Sequence, residues 1–176
     1  MSKCVLICAA LAMTASLSFA QKFTSPPADT SITIAGKTIK IHYSAPSVHG
    51  RQIFGDGGLI SHDPHYPVWR AGANSATALH TDADLDIQGL HVPAGDYTLF
   101  VNVADPDHWE FIVSKATKEW GLAYNKDMDL GHVKMEMSKP PAPIEVYKMT
   151  LSGEGNSGKL QLEWENHVAS VPFKVQ

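Results

Sequence analysis

Apolar and polar residues alternate along most of the chain after residue 30, which is the pattern of half-buried β-strands. The clearest case is a pair of alternating segments, 31–34 and 37–43, joined by Ala35 and Gly36. A short turn between two alternating segments indicates a β-hairpin with one buried face. The phase of the alternation turns His42 outward and predicts five buried side chains. The five are Ile32, Ile34, Ile39, Ile41 and Tyr43.

More segments of strand composition follow at short intervals, separated by Gly, Pro, Asn or Asp. Residues 97–103 and 109–113 predict an antiparallel pair, and the first of them is apolar enough to be a central strand. Residues 160–165 and 168–173 predict a closing hairpin near the C-terminal end. Only residues 115–121 are compatible with a helix, which would have one or two turns at most.

These patterns predict an all-β fold. About ten short strands at regular spacing, with almost no helical periodicity, indicate a single antiparallel β-sandwich, jelly-roll or Greek-key like, with at most one short helix. No internal repeat, low-complexity tract or linker divides the chain. We therefore expect one β-sandwich domain at residues 31–176. An extended lead-in at residues 21–30, which contains Pro26 and Pro27, is expected to precede it.

The first twenty residues have the features of a secretory signal peptide. Lys3 provides a positive start, residues 4–17 are apolar, and the small residues Ser18 and Ala20 precede Gln21. The apolar run is shorter than the roughly 20 residues that a membrane-spanning helix needs. We therefore expect residues 1–20 to be cleaved off near Ala20 and Gln21. The mature chain is expected to have no membrane span and to be periplasmic or secreted.

Export changes the meaning of the composition. The two cysteines, Cys4 and Cys8, lie in the predicted signal peptide, so the mature domain is expected to depend on its core without a disulfide. The chain has 14 Lys and Arg against 18 Asp and Glu, a net charge of −4. Mild acidity without a basic cluster argues against nucleic acid and anionic membrane surfaces as partners. We expect the partner to be a small polar molecule or a protein.

The most distinctive residues for chemistry lie at 68–77, where an aromatic residue, a cation and a carboxamide precede a predicted strand. A turn at Gly72 is predicted to bring the Arg70 guanidinium and the Asn74 carboxamide to one point, with Trp69 as a wall. Such a set suits a carboxylate, a phosphate oxygen or a sugar hydroxyl in a concave pocket. In the structural alternative, Arg70 and Asn74 bind backbone carbonyls at the end of the sandwich, and Trp69 belongs to the core.

A long loop at residues 47–67 precedes this stretch, and long loops in compact domains usually bind or cover a ligand. Arg51 lies in this loop beside Ile53 and Phe54, which predicts a partly buried cation with an anionic or carbonyl partner. The alternative is a surface ion pair with Asp56. The candidate ligand-binding residues are therefore Arg51, Trp69, Arg70 and Asn74.

The same loop contains His62, Asp63 and His65, which can bind zinc or copper if a third ligand such as His49 or His80 lies near. The alternative is a solvated loop without a metal. A divalent metal is the one cofactor that the sequence suggests, and otherwise we expect none. All nine histidines lie beyond the predicted signal peptide.

Catalysis is the alternative to binding. Glu163 and Glu165 lie two residues apart on a predicted strand, as the paired acids of a hydrolase can, but alternation places both on the solvated face and Trp164 in the core. The sequence has no GxSxG, HExxH or glycine-rich phosphate loop. We therefore favour a binding module for a small polar, anionic or carbohydrate-like ligand. The alternatives are a metal-dependent or acid/base hydrolase using the His-rich loop, and a structural envelope or partner-interaction protein without a small-molecule site.

Several motifs of the chain occur in the order found in a known family. They are GRxIFG at 50–55, VWRxGANxAT at 68–77, VPAGxYxL at 92–99, WE at 164–165 and VP at 171–172. Together they resemble the bacterial secreted DUF2911 family over nearly the whole mature chain, and WRxGAN is the most specific element. The resemblance implies a compact, β-rich exported domain, and the family has no established activity.

Overall fold

The computed structural model describes residues 24–117 and 120–176, and these form thirteen strands, two short 3₁₀ segments and no α-helix. The strands are β1 (Pro27–Ile34), β2 (Lys37–Ser44), β3 (Val68–Trp69), β4 (Thr77–Thr81), β5 (Leu85–Ile87), β6 (Leu90–Val92), β7 (Gly95–Asn102), β8 (Glu110–Ser114), β9 (Asp129–Lys134), β10 (Glu136–Ser138), β11 (Ile144–Glu154), β12 (Ser157–Glu165) and β13 (His167–Val175). The 3₁₀ segments are Leu59–His62 and Lys126–Met128. The signal peptide predicted at residues 1–20 lies outside the described residues.

The strands form two antiparallel sheets, which confirms the predicted all-β sandwich. The seven-stranded sheet has the order β1-β2-β4-β7-β8-β9, with β3 paired to β7. The six-stranded sheet has the order β11-β12-β13-β5-β6, with β10 paired to β13. The described residues contain more strands than the ten or so expected, because β3, β5, β6 and β10 are only two or three residues long.

The predicted N-terminal hairpin is present as β1 and β2. Ile34, Ile39, Ile41 and Tyr43 are buried, while Ile32 is partly buried and packs against the core. The outward His42 is confirmed, and its Nδ1 lies 3.0 Å from an Asp29 oxygen. Strand β1 begins at Pro27, within the lead-in expected at 21–30, because the backbone of residues 27–30 pairs with that of 41–44.

The predicted central pair is also present, with β7 between β4 and β8. Leu99 and Val101 of β7 face the sandwich core, and Phe100 faces outward but is covered by Tyr124, with ring centroids 4.9 Å apart. The covering segment begins in the region predicted as helix-compatible. Its described residues, 115–117 and 120–121, are not helical, so that expectation is wrong for them. One or two turns are too few for a helix to form without tertiary support.

An aromatic cluster fills one end of the sandwich. Phe54, from the loop between β2 and β3, inserts between the two sheets, and its ring centroid is 4.8 Å from that of Trp109 and 4.7 Å from that of His167. Trp69 stacks on Trp164 at 5.8 Å, with an angle of 23° between the ring planes. The loop therefore contributes to the core, and it positions the region described next.

No helix among the described residues is long and apolar enough to cross a membrane.

Candidate functional site

The stretch from Trp69 to Thr77 is a tight loop between β3 and β4. Its ends are joined because the Thr77 backbone N–H donates to the Arg70 carbonyl at 3.3 Å, and the Thr77 hydroxyl donates to the Ala71 carbonyl at 2.8 Å. Ala71 and Asn74 have φ values of 51° and 59°, in the left-handed region that residues with a Cβ seldom adopt. The surrounding contacts therefore hold this loop in one conformation, as expected where a backbone positions side chains.

Gly72 packs closely against β2 and Thr77. Its φ is not positive, but a Cβ at this position would lie 3.0 Å from the Ser44 carbonyl oxygen and 3.1 Å from the Thr77 hydroxyl. The Gly72 carbonyl also accepts a hydrogen bond from the Trp69 indole at 2.9 Å. The turn predicted at Gly72 is therefore made by the left-handed residues on either side of it, and Gly72 itself permits close packing on β2.

Arg70 forms the strongest polar contact of the loop. Its Nη2 donates to the Asp63 carboxylate at 2.7 Å, and its Nη1 donates to the Asn74 backbone carbonyl at 3.2 Å. The Asp63 side chain is 7% exposed and that of Arg70 is 18% exposed, so the pair is largely desolvated. A short, poorly solvated guanidinium–carboxylate contact holds both side chains in place.

The Asn74 carboxamide does not point to the same place as the guanidinium. Its Nδ2 donates to the Ser25 carbonyl at 3.2 Å and to the Ser44 hydroxyl at 3.4 Å, so it ties the loop to the start of the described chain. Arg51 is also elsewhere. Its Nε and Nη2 donate to the Val48 and Ser47 carbonyls at 3.0 and 2.6 Å, and it does not line the cavity described below.

The three residues suggested as metal ligands each make a protein contact. Asp63 binds Arg70, His65 Nε2 donates to the Leu122 carbonyl at 2.8 Å, and His62 Nδ1 donates to the Gly58 carbonyl at 2.9 Å. Among residues 24–117 and 120–176, no group of three or more His, Cys, Asp or Glu side chains is arranged to hold a metal ion. These contacts instead brace the loops around a cavity.

The cavity lies beside the Arg70–Asp63 pair and has a volume of about 380 Å³. Trp69 and Trp164 in its wall are buried, whereas Leu59 and Leu122 at its edge are 39% and 44% exposed, so it has a buried floor and an open mouth. Its lining combines a few polar groups with apolar side chains, as small-molecule sites do. The lining residues are Pro46, Leu59, Ile60, His62, Asp63, Pro64, Trp69, Arg70, Gly72, Ala73, Asn74, Leu122 and Trp164.

Trp164 lines the cavity with its ring, and its indole N–H is a donor that no described residue accepts. Its side chain is buried, with 2% exposure, and its Nε1 is shielded from solvent. Sequence reasoning placed Trp164 in the core because its strand alternates, and this was right for its burial. No signal in the sequence indicates that its indole N–H lacks an acceptor, since that depends on packing across the two sheets.

Other hollows of the surface offer less. A larger one, of about 600 Å³, lies over the outer face of the seven-stranded sheet near Lys40, His42 and His80. The His80 ring in this hollow contacts Asp96 at 2.7 Å and Asp82 at 3.1 Å. These hydrogen bonds raise the pKa of His80, and the one with Asp96 has the larger effect. These polar groups bind one another on an exposed face.

The paired acids of β12 are not equivalent. Glu165 is only 16% exposed, because its carboxylate accepts a hydrogen bond from the Ile53 backbone N–H at 3.1 Å, so the expectation that it faces solvent is wrong. His167, across the turn, lies with Nδ1 3.8 Å from the other Glu165 oxygen and stacks on Trp109. Burial lowers the pKa of His167.

Comparison with known proteins gives one match. The family model described as "Protein of unknown function (DUF2911)" matches residues 25–173, which include every residue that lines the cavity. No curated protein and no solved structure matches the chain. Because the family model matches well over half of the chain, the chain belongs to the DUF2911 family.

Proposed function

We propose that this domain binds a small polar molecule in the cavity between Arg70 and Trp164. The observation that carries the proposal is the cavity of about 380 Å³, which has the buried Trp69 and Trp164 rings in its wall and the largely buried Arg70–Asp63 pair beside it. A polar ligand there gains apolar contact with the cavity wall and hydrogen bonds from the remaining Arg70 N–H groups.

The order of the site supports the same proposal. Arg70 is held by Asp63 and by the Asn74 carbonyl, so its remaining N–H groups have a restricted orientation before a ligand arrives. The volume of about 380 Å³ is near the lower end of the range for small-molecule pockets, which is about 300–1,000 Å³. A molecule of roughly one ring fits such a volume.

We also propose that the protein acts outside the cytoplasm. The support is the pattern of residues 1–20, with a positive start, an apolar run and small residues before Gln21. A ligand of an exported domain would come from the periplasm or the surroundings of the cell. This part of the proposal is independent of the cavity and has its own test, given in the Discussion.

The binding proposal is tested by NMR on the purified protein. Each of the four tryptophans gives one indole N–H signal, and Trp→Phe variants assign them. A screen of neutral sugars, polyols, carboxylates and phosphates is expected to include compounds that shift the Trp164 signal. Failure of every compound to shift it contradicts the proposal.

The matched variants are Trp164→Phe and Trp109→Phe. Trp164→Phe keeps a ring in the cluster but reshapes the part of the cavity wall that Trp164 forms, so we expect the affinity to fall about tenfold, equivalent to about 1.4 kcal/mol. Trp109→Phe changes the same cluster outside the cavity lining and is expected to leave the affinity within about twofold. Equal affinity of Trp164→Phe and the unchanged protein contradicts the proposal.

A further inference from the structure

We propose that the molecule bound in this cavity is a neutral, polyhydroxylated compound the size of a monosaccharide, and not an organic anion. This inference rests on the proposed function and narrows its ligand class. Three features of the described residues carry it: the charge balance of the cavity, its mixture of donors and acceptors, and the exposed aromatic side chain near its mouth.

The first feature is the charge balance. Arg70 and Asp63 are the only Arg, Lys, Asp or Glu residues among those that line the cavity. Their 2.7 Å contact, with both side chains at least four-fifths buried, cancels the charge of the guanidinium locally. An anion entering the cavity would approach the Asp63 carboxylate as closely as it approaches Arg70. A neutral ligand avoids that repulsion, which is strong where water is excluded.

The second feature is the mixture of donors and acceptors. The remaining N–H groups of Arg70 can only donate. His62 donates from Nδ1 to the Gly58 carbonyl, so in the neutral ring the lone pair is on Nε2, which can only accept. Asp63 also presents acceptor oxygens. A carboxylate or phosphate oxygen satisfies donors alone, whereas a hydroxyl group both donates and accepts, so a polyhydroxylated molecule matches the whole set.

The third feature is Trp120. It is 62% exposed, the highest value for a large apolar side chain among the described residues. Its backbone pairs with that of Ser75 in an isolated antiparallel bridge, and Gly121 packs so closely on Arg70 that a Cβ there would lie 2.6 Å from Arg70 Cδ. Trp120 therefore lies near the mouth of the cavity, two residues before Leu122 in its lining. An exposed indole offers a flat apolar face to the C–H groups of a sugar ring.

The test compares ligands that share a skeleton and differ in charge. The neutral compounds are glucose, galactose and N-acetylglucosamine, and the charged ones are glucuronate, galacturonate and glucose 6-phosphate. NMR titration of the Trp164 indole signal is expected to show that at least one neutral compound binds at least about tenfold more tightly than its charged counterpart, a difference of about 1.4 kcal/mol. Tighter binding of the charged compounds overturns this inference and leaves the proposed function standing. Binding of neither set, with no hit in the wider screen, overturns the proposed function itself.

Two variants separate the three features. Asp63→Asn leaves the guanidinium charge uncompensated, so glucuronate is expected to gain at least about tenfold in affinity relative to glucose. Its folding is checked by the amide spectrum. Because Asp63 also accepts from the His65 backbone N–H, this variant can unfold locally. Trp120→Ala, at an exposed position, is expected to weaken neutral sugars several-fold without a change in melting temperature. An unchanged preference in a folded Asp63→Asn protein overturns the charge argument, and unchanged sugar affinity in Trp120→Ala removes the aromatic contact from the site.

Discussion

Single buried polar atoms distinguish the aromatic end of this sandwich from an ordinary core. Trp164 Nε1, the Tyr147 hydroxyl and His167 Nδ1 are all shielded from solvent and have no hydrogen-bond partner in the described part of the chain. Phe54 contacts the rings of both Trp164 and His167, and Tyr147 contacts the ring of Trp164. The three polar residues therefore belong to one packed cluster. Each unpaired group costs stability, and such costs concentrate at functional sites.

His167 is expected to make the fold sensitive to acid. Burial, the largest cause, lowers its pKa, Lys139 lowers it further, and Glu165 and Asp107 act in the opposite direction. The folded pKa is below the ordinary value of 6.5, so this contribution to stability is present above pH 6.5 and is lost as the pH falls through the folded pKa. We expect His167→Phe to reduce the loss of stability below pH 6.5, by at most about 1.4 kcal/mol per pH unit. Urea unfolding at several pH values measures it, and an unchanged slope contradicts this expectation.

His80 provides a comparison of opposite sign for the same measurement. The hydrogen bonds that the His80 ring donates to Asp96, the larger cause, and to Asp82 raise its pKa, so its contribution is present below the ordinary value of 6.5 and is lost as the pH rises through the folded pKa. The His80 side chain is half exposed, so solvent screening keeps this contribution small. His80→Asn is therefore expected to change the free energy of unfolding above pH 6.5. The loss of stability below pH 6.5, which is assigned to His167, is expected to stay the same.

The loop between β2 and β3 acts as a third structural element of the site, although it has little regular structure. The Glu165 carboxylate at the end of β12 accepts a hydrogen bond from the Ile53 backbone N–H, and Ile53 and Phe54 are buried. The Gly58 carbonyl accepts hydrogen bonds from Ser61 and His62. Glu165 therefore anchors the loop to β12, and the Gly58 contacts stabilise its 3₁₀ segment, which forms part of the cavity wall.

Gly58→Ala tests whether this loop depends on close backbone packing. A Cβ at Gly58 would lie 2.6 Å from the Ile53 carbonyl oxygen and 2.7 Å from that of Phe54, and backbone atoms cannot move aside cheaply. We expect a loss of about 1–3 kcal/mol, typical of overpacking, and a lower melting temperature by calorimetry. Gly57→Asn is the control, because a Cβ there meets nothing within 4 Å and Asn tolerates the positive φ of 72°. An equal effect of the two variants contradicts the packing argument.

Histidines lie beside acidic side chains in many parts of the molecule. Seven of the nine histidines lie within 4 Å of a carboxylate, and the other two contact backbone carbonyls. The seven are His42, His49, His80, His91, His108, His132 and His167. In a chain with fewer Lys and Arg than Asp and Glu, histidine supplies many of the partners for acids. The abundance of histidine is therefore a feature of surface pairing, and the described residues contain no histidine cluster for a metal.

The proposed export concerns the whole molecule and has a direct test. Processing as proposed removes residues 1–20, so the native protein is expected to begin at Gln21. Mass spectrometry of the protein recovered from the cells and their medium measures the N-terminus. Ala20→Arg, which removes the small residue before the cleavage point, is expected to block processing, whereas Ala28→Ser is expected not to. An intact N-terminus in the unchanged protein contradicts the proposal.

Much of the fold could be predicted from the chain, because a strand with one buried face alternates in sequence. Alternation was sufficient for the N-terminal hairpin, the β7–β8 pair and the closing hairpin. It missed Glu165, whose side chain is covered by a distant loop, and it gave residues 115–121 a helical possibility that the described part does not realise. Local patterns record which face a residue takes, but not what later covers that face.

The sequence by itself determined the all-β class, the family, and the stretch from Trp69 to Asn74 as a point of interest, because these depend on local alternation and on a contiguous motif. The tertiary structure alone decided which groups each of these side chains contacts. It paired Arg70 with Asp63, turned Asn74 and Arg51 to backbone carbonyls, and placed the Trp164 ring in the wall of a cavity. The contact of Asn74 with Ser25 joins segments far apart in the chain, and the wall of the cavity combines residues from 46 to 164. Which donor meets which acceptor therefore depends on how the two sheets and the loop pack, and no local pattern encodes it.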